Sequence, residues 1–284
     1  MVTYVLVDSS QRVGFHRRLD DRKVRYCSLF DGQAEQKHPE IAPLLLHWPE
    51  DESVNARQMR RDIRSLASEK PAVSIIESDM AMEELSEHLR KFHLVKLPNG
   101  REMLLRWYDT RILPVWVDIM APSQAQGFFS GVNRWRMYDR YGEEVDLTIQ
   151  VKEAGELPAL SPYALDEAQY ARLIEACGAD VLIAHLRDVI PDEIRRLSHR
   201  VLYPFVTDHL DAARRQGLES LDDQTQYMLL ALYTSGEFLS HPHVRQRLDS
   251  NAEEHDEDFS TWAMQVPDEV FALGEPLWSA VQTS

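Results

Sequence analysis

Short apolar runs broken by polar turns fill the first half of the chain, and helical periods fill the second. Thr3-Tyr4-Val5-Leu6-Val7-Asp8 reads as a buried strand that stops at its aspartate. Val24 to Leu29 predicts a second strand, closed by the Phe30-Asp31-Gly32 turn signal. Leu44 to Trp48 is a third apolar run, fenced by Pro43 and Pro49. Residues 53–69 predict a helix, with Ser53 as N-cap and Val54, Met59, Ile63 and Leu66 towards one face. Pro71 ends it, and Val73 to Ile76 is β-branched and strand-like. Ser78 or Asp79 is placed to cap a helix carrying Met82, Leu85, Leu89 and Phe92. Asn99-Gly100 is a hairpin signal, and Met103 to Tyr108 is the expected returning strand. Ile112 to Met120 predicts a helix with Asp109 or Thr110 as cap and Pro114 in its first turn. Phe128 to Tyr138 and Val145 to Val151 read as later strands around Tyr141-Gly142.

The pattern changes at residues 152–164, where Gly155, Pro158 and Pro162 interrupt it. Everything beyond reads as helix. Tyr170, Leu173, Ile174 and Cys177 share a period that Gly178 is expected to end, and Asp180 restarts it. Pro191-Asp192-Glu193 is a helix start, and Pro204 is expected to kink the helix that carries Ile194, Leu197, Val201 and Phe205. Ser220 with Asp223 resembles a capping box ahead of Tyr227, Leu230, Ala231 and Thr234. His241-Pro242-His243 reads as a helix start before a short helix to Leu248, and Asn251 to Asp258 as a solvated acidic linker. The expected class is α+β/α/β. A mixed-sheet α/β lobe (residues 1–151) is followed through a linker (152–164) by an all-helical lobe (165–284).

Charge sharpens this division. Residues 1–150 hold 21 basic and 23 acidic side chains; residues 151–284 hold 10 and 24, so nearly all of the net −16 lies in the helical half. Such a surface repels phosphate backbones, which argues against nucleic-acid binding there. The apolar run Val2–Val7 is too short for a signal-peptide core and no stretch has the length of a membrane span, so no membrane partner is expected. Cys27 and Cys177 do not make a disulfide framework and fit a reduced, cytoplasmic setting.

The chemistry-bearing motifs of common enzymes are missing from the sequence. It contains no phosphate loop, no G-x-G-x-x-G, no nucleophile elbow and no H-E-x-x-H, and without CxxC no structural zinc site is expected. Cys27 reads as a small buried hydrophobe. No catalytic residue, cofactor or metal is assigned. One stretch has an unusual density of polar tips: Met103-Leu104-Leu105-Arg106-Trp107-Tyr108-Asp109-Thr110-Arg111-Ile112-Leu113. On a strand, Arg106 and Tyr108 share a face and Trp107 takes the other, with Asp109 free to receive Arg106 or Arg111 in a bidentate pair. Arg106, Trp107, Tyr108, Asp109 and Arg111 are therefore a candidate structural or interface corner. Trp116, Phe128, Phe129 and Trp135 are candidate interface aromatics, because Trp, Tyr and Arg dominate interface hot spots. The alternative is an enzyme acting on an anionic small molecule or phosphoester, with Arg106, Tyr108, Asp109 and Arg111 as its anion site.

In order along the chain, several motifs resemble the effector chaperones, or adaptors, of bacterial type VI secretion (the Tap or Tec family). They are Tyr4-Val5-Leu6-Val7-Asp8, Ser28-Leu29-Phe30-Asp31-Gly32, Ala42-Pro43-Leu44-Leu45, and Leu85 with His88-Leu89-Arg90. Then come Leu104-Leu105-Arg106-Trp107-Tyr108-Asp109, Arg111-Ile112-Leu113, and Phe128-Phe129-Ser130-Gly131-Val132 with Trp135. Thr110 stands where the family commonly has proline, and Ser130-Gly131 where Gly-Pro is common. The resemblance implies a non-enzymatic cytoplasmic protein. It would bind a toxic effector and load it onto the VgrG spike, directly or through a PAAR-domain tip.

Overall fold

The computed structural model describes residues 1–147, 163–249 and 257–280. It divides into two compact units, Met1–Glu175 and Ala176–Ser284. The division falls eleven residues beyond the expected linker, most of which lies outside the described residues. Tyr163, Leu165 and Leu173 pack into the core of the first unit, which is why that unit extends so far.

Strand β1 (Val2–Asp8) is buried on both faces from Tyr4 onward. A single turn, Ser9–Gln11, leads to α1 (Phe15–Asp21). β2 is shorter than the apolar run suggests, Tyr26–Ser28, and β3 is Pro43–His47. The helix α2 (Val54–Glu69) starts at Ser53, whose hydroxyl accepts from the Ala56 N–H at 3.1 Å. Its buried line is Ala56, Met59, Ile63 and Leu66, whereas Val54, expected on that face, is exposed at the first turn. β4 (Val73–Ser78) and α3 (Met82–Arg90) come next. Ser78 and Asp79 do not cap α3; Ala81 holds the N-cap position and the Ser78 hydroxyl accepts from Met80 N–H instead. β5 (Leu94–Lys96) and β6 (Glu102–Leu104) form the hairpin that Asn99-Gly100 predicts, with Gly100 at φ +83°. After α4 (Leu113–Ile119) comes α5 (Pro122–Phe128), then β7 (Val132–Tyr138) and β8 (Glu144–Asp146). The expected strand from Phe128 is thus half helix: Pro122 pre-sets the first turn of α5, and the apolar Phe128-Phe129 pair ends that helix. Residues 148–151 of the last expected strand lie outside the described residues. β9 is Tyr163–Ala164.

β2-β3-β1-β4-β7-β8 make a six-stranded sheet in which every pairing is antiparallel. The mixed pairing lies in a second, three-stranded sheet, β6-β5-β9, where β9 runs parallel to β5. Tyr4, Ile76 and Trp135 are register partners and so share one face of the large sheet. Phe128 of α5 stacks on Trp135 there, and the Tyr4 hydroxyl donates to the Met80 carbonyl, at 2.7 Å, just before α3. Val5, Ile75 and Arg136 share the other face, which is covered in part by α2.

The second unit is helical. α6 (Glu167–Val189) enters it and runs unbroken through Gly178, where the sequence predicts a stop. A β-carbon at Gly178 would collide with the Arg214 guanidinium, so this glycine permits close packing rather than ending a helix. α7 (Pro191–Arg195) and α8 (His199–Arg215, with Pro204 inside it) precede α9 (Leu221–Thr234). Ser220 caps α9 by accepting from the Asp223 N–H at 3.0 Å. α9 is the central element; α8, α11 (Phe259–Ala263), α12 (Asp268–Phe271) and α13 (Leu277–Ala280) pack on it, after α10 (Pro242–Asp249). Residues 251–256 of the acidic linker lie outside the described residues.

Candidate functional site

The arginine-tyrosine-aspartate corner forms where β6 ends early. The strand stops at Leu104, and its extension to Tyr108 is replaced by a turn closed by Asp109 N–H donating to the Arg106 carbonyl at 3.0 Å. Leu105 N–H still reaches the His93 carbonyl at 2.7 Å, so the chain leaves the sheet at Arg106. The turn removes the strand alternation, and Trp107 and Tyr108, adjacent in sequence, both point into the core. Asp109 then organises the start of α4 through its backbone: its carbonyl accepts from Ile112 and Leu113 N–H at 2.9 and 3.0 Å. Its side chain is not the cap; Ile112 holds that position.

The carboxylate of Asp109 takes Arg111 in a bidentate pair, Nε to Oδ1 at 3.0 Å and Nη2 to Oδ2 at 2.6 Å. Arg106 turns the other way, to a partner 98 positions upstream. Its Nη2 donates to Asp8 Oδ2 and to Ser10 Oγ, each at 2.8 Å. The other Asp8 oxygen accepts from Ser10 N–H at 3.0 Å and Ser10 Oγ at 2.7 Å. Asp8 is fully buried and is anchored to β4's approach by its N–H to the Ala72 carbonyl at 2.9 Å. Thr110 N–H donates to the Pro71 carbonyl at 3.2 Å, a bond for which proline, common at this position in the resembling family, has no donor.

Asp8 and Ser10 are members of the corner that the sequence does not assign to it; Asp8 is read there only as the end of the first strand and motif. A usable signal is present: an aspartate closing a fully apolar strand is a buried charge that needs a cationic partner.

Burial opposes charge on Arg106, but Asp8, with Tyr108 and Asp109, outweighs it and raises the guanidinium pKa. Burial, reinforced by Asp8, pushes the Tyr108 phenol well above its ordinary value, so it stays protonated. Neither group is poised for acid–base chemistry near neutral pH.

The candidate interface aromatics need correction. Trp107, Trp116, Phe128, Phe129 and Trp135, with Tyr108, are all in the core of the first unit. Phe128 stacks on Trp135 (centroids 5.4 Å, 18°), Trp107 meets both edge-on at 5.3 and 5.9 Å, and Phe129 packs edge-on against Trp135 at 6.0 Å. Their mutual packing removes each from solvent, so they set the shape beneath the surface rather than form it.

His93 completes this cluster. It is buried, stacked on Trp107 at 5.4 Å and 14°, and neither ring nitrogen has a partner among the described residues. Burial, aided by Arg90, pushes its pKa down to about 3. An unfolded imidazole takes its proton near pH 6.5. Between these values the unfolded state binds more protons. The contribution of neutral His93 is therefore fully present above about pH 6.5 and lost as pH falls towards 3, at up to about 1.4 kcal/mol per pH unit. His93→Phe is expected to flatten the fall of the first unit's melting temperature between neutral and mildly acidic pH. Melting curves of both proteins across that range check it; equal slopes would exclude His93 as the source.

Fold and site together define a two-unit α+β protein with an internally paired charged corner at one end of its main sheet. Residues 3–127, from β1 into α5, match the family described as "Domain of unknown function (DUF4123)". No curated protein and no solved structure matches the chain.

Proposed function

We propose that this protein is a non-enzymatic adaptor that binds a type VI secretion effector in the cytoplasm and loads it onto the VgrG spike, directly or through a PAAR-domain tip. The observation that carries this reading is the family match over residues 3–127, the stretch in which nearly all the adaptor-like motifs lie. The state of the corner supports it. Arg106 is committed to Asp8 and Ser10, and Arg111 to Asp109, so both guanidinium groups already have carboxylate partners. An anion-binding enzyme needs such groups aimed into a cavity. Among the described residues, grooves of about 700 and 400 Å³ are lined by residues around Trp48 and Met59, and around Val117 and Phe129. Cys27 and Cys177 form no disulfide, and no described helix is long and apolar enough to cross a membrane.

A secretion assay tests the proposal. Deleting the gene from a type VI-competent cell is expected to stop one effector from reaching the medium while the secretion apparatus keeps firing. Complementation with the intact protein restores export, and the protein itself stays in the cell. Unchanged export of every effector would overturn the reading.

A further inference from the structure

The segments around helices α1 and α2 carry a net positive charge, opposite in sign to that of the whole chain. Residues 12–23 and 53–70 hold ten basic and four acidic side chains, so the net −16 splits into +6 here and −22 elsewhere. The two helices are bound side by side by their own acids. Arg22 and Arg18 reach Asp62 at 2.5 and 3.9 Å, and Arg12 reaches Glu69 at 2.7 Å. Of the remaining two acids, Asp20 accepts from the Tyr26 hydroxyl at 3.0 Å.

What these pairs leave over is a row of arginines. Arg57, Arg61 and Arg64 are all exposed on α2, opposite the buried Met59, Ile63 and Leu66. Spacings of four and three residues place them in one line, about 10 Å long at the helical rise. Arg57 has only Glu52, at 3.8 Å, and Arg61 and Arg64 have no carboxylate within ion-pair distance among the described residues. Exposed Arg17 extends the basic surface onto α1. An ordinary solvated helix face interleaves both signs, as i,i+4 pairing favours. This row lacks the acids that would do so.

We infer that the exposed face of α2, flanked by α1, docks an acidic segment of a partner protein, whose Asp and Glu side chains meet Arg57, Arg61 and Arg64. Guanidinium groups accept carboxylates in two-point contacts, and a row of three selects a short acidic run over an isolated charge. A long phosphate polymer fits poorly, because the first unit outside the patch carries a net −11 and repels it. The inference rests on the adaptor reading for the existence of a protein partner, but its test needs no effector.

The probes are a labelled Glu-rich peptide, its Gln counterpart and a labelled DNA duplex, each titrated by fluorescence anisotropy into the intact protein at low and physiological salt. The expected result is salt-sensitive binding of the Glu-rich peptide alone. The triple variant R57E/R61E/R64E, and less strongly R57Q/R61Q/R64Q, weakens it by about tenfold or more. Circular dichroism confirms that both variants fold. Arg195→Glu, in the second unit and paired there with Asp192, leaves binding unchanged. Equal peptide binding by wild type and the triple variant would overturn the inference, as would tighter binding of DNA. Self-association of the wild type that the triple variant abolishes would assign the face to a second copy and also overturn it. If effector export needs the protein while peptide binding ignores the arginines, the adaptor reading stands and this face is not its docking site.

Discussion

Trp135→Ala is expected to destabilise the first unit by about 3–5 kcal/mol, the range for emptying a buried large aromatic site. Trp135 is fully buried, stacked on Phe128 and edge-on to Trp107 and Phe129, so no neighbour can collapse into the space without breaking another contact. Its indole N–H has no partner among the described residues, so the loss is one of packing and not of a hydrogen bond. Trp135→Phe should therefore recover most of the stability. Against a total of about 5–15 kcal/mol for a typical domain, the alanine variant stands near unfolding at physiological temperature. Urea denaturation followed by circular dichroism measures the effect. An unchanged midpoint with lost partner binding would move Trp135 from the core to an interface.

The second large effect is at Asp8. Asp8→Ala removes the acceptor of three donors, Ser10 N–H, Ser10 Oγ and Arg106 Nη2, at a carboxylate that is itself fully buried. Breaking a wholly buried ion pair costs about 3–5 kcal/mol. Arg106 is 43% exposed and can turn to water, which lowers the expected cost to about 2–3 kcal/mol. The order predicted from this geometry is Arg106→Gln worst, because the fully buried Asp8 carboxylate keeps only its Ser10 donors and loses its cation, Asp8→Ala next and Asp8→Asn mildest. Urea midpoints of the three variants give the order directly. If Arg106→Gln were the mildest, Asp8 would not depend on its cationic partner.

Local signals are enough to read much of the fold. Ser53 and the Met59, Ile63, Leu66 period locate α2 to within a residue or two, and Ser220 does the same for α9. Asn99-Gly100 gives the β5–β6 hairpin. Non-local choices are less legible. Leu104 to Tyr108 alternates as a strand would, but the turn at Arg106–Asp109 is favoured because it buries Trp107 and Tyr108 together, against Phe128, Trp135 and Phe30. Tertiary packing there overrides a period-2 pattern. Gly178 carries a stop signal, yet the close approach of Arg214 uses its missing side chain within a continuous helix.

The corner is half legible for the same reason. Arg111 and Asp109 are neighbours in sequence and pair as neighbours can, whereas Arg106 finds Asp8 only through the fold. The aromatic expectation fails because residue type alone does not separate an interface hot spot from a core aromatic. Trp107, Trp116 and Trp135 have the right chemistry for either, and burial decides.

The central claim, that this is a binding adaptor rather than an enzyme, is tested most directly by capture. The intact tagged protein is expressed at native level in a type VI-competent cell, recovered at physiological salt, and its co-purifying proteins are identified by mass. The account predicts stoichiometric recovery of one effector together with VgrG or a PAAR-domain protein, retained in Trp135→Phe. Recovery of the protein alone, with neither an effector nor a spike component, would contradict it.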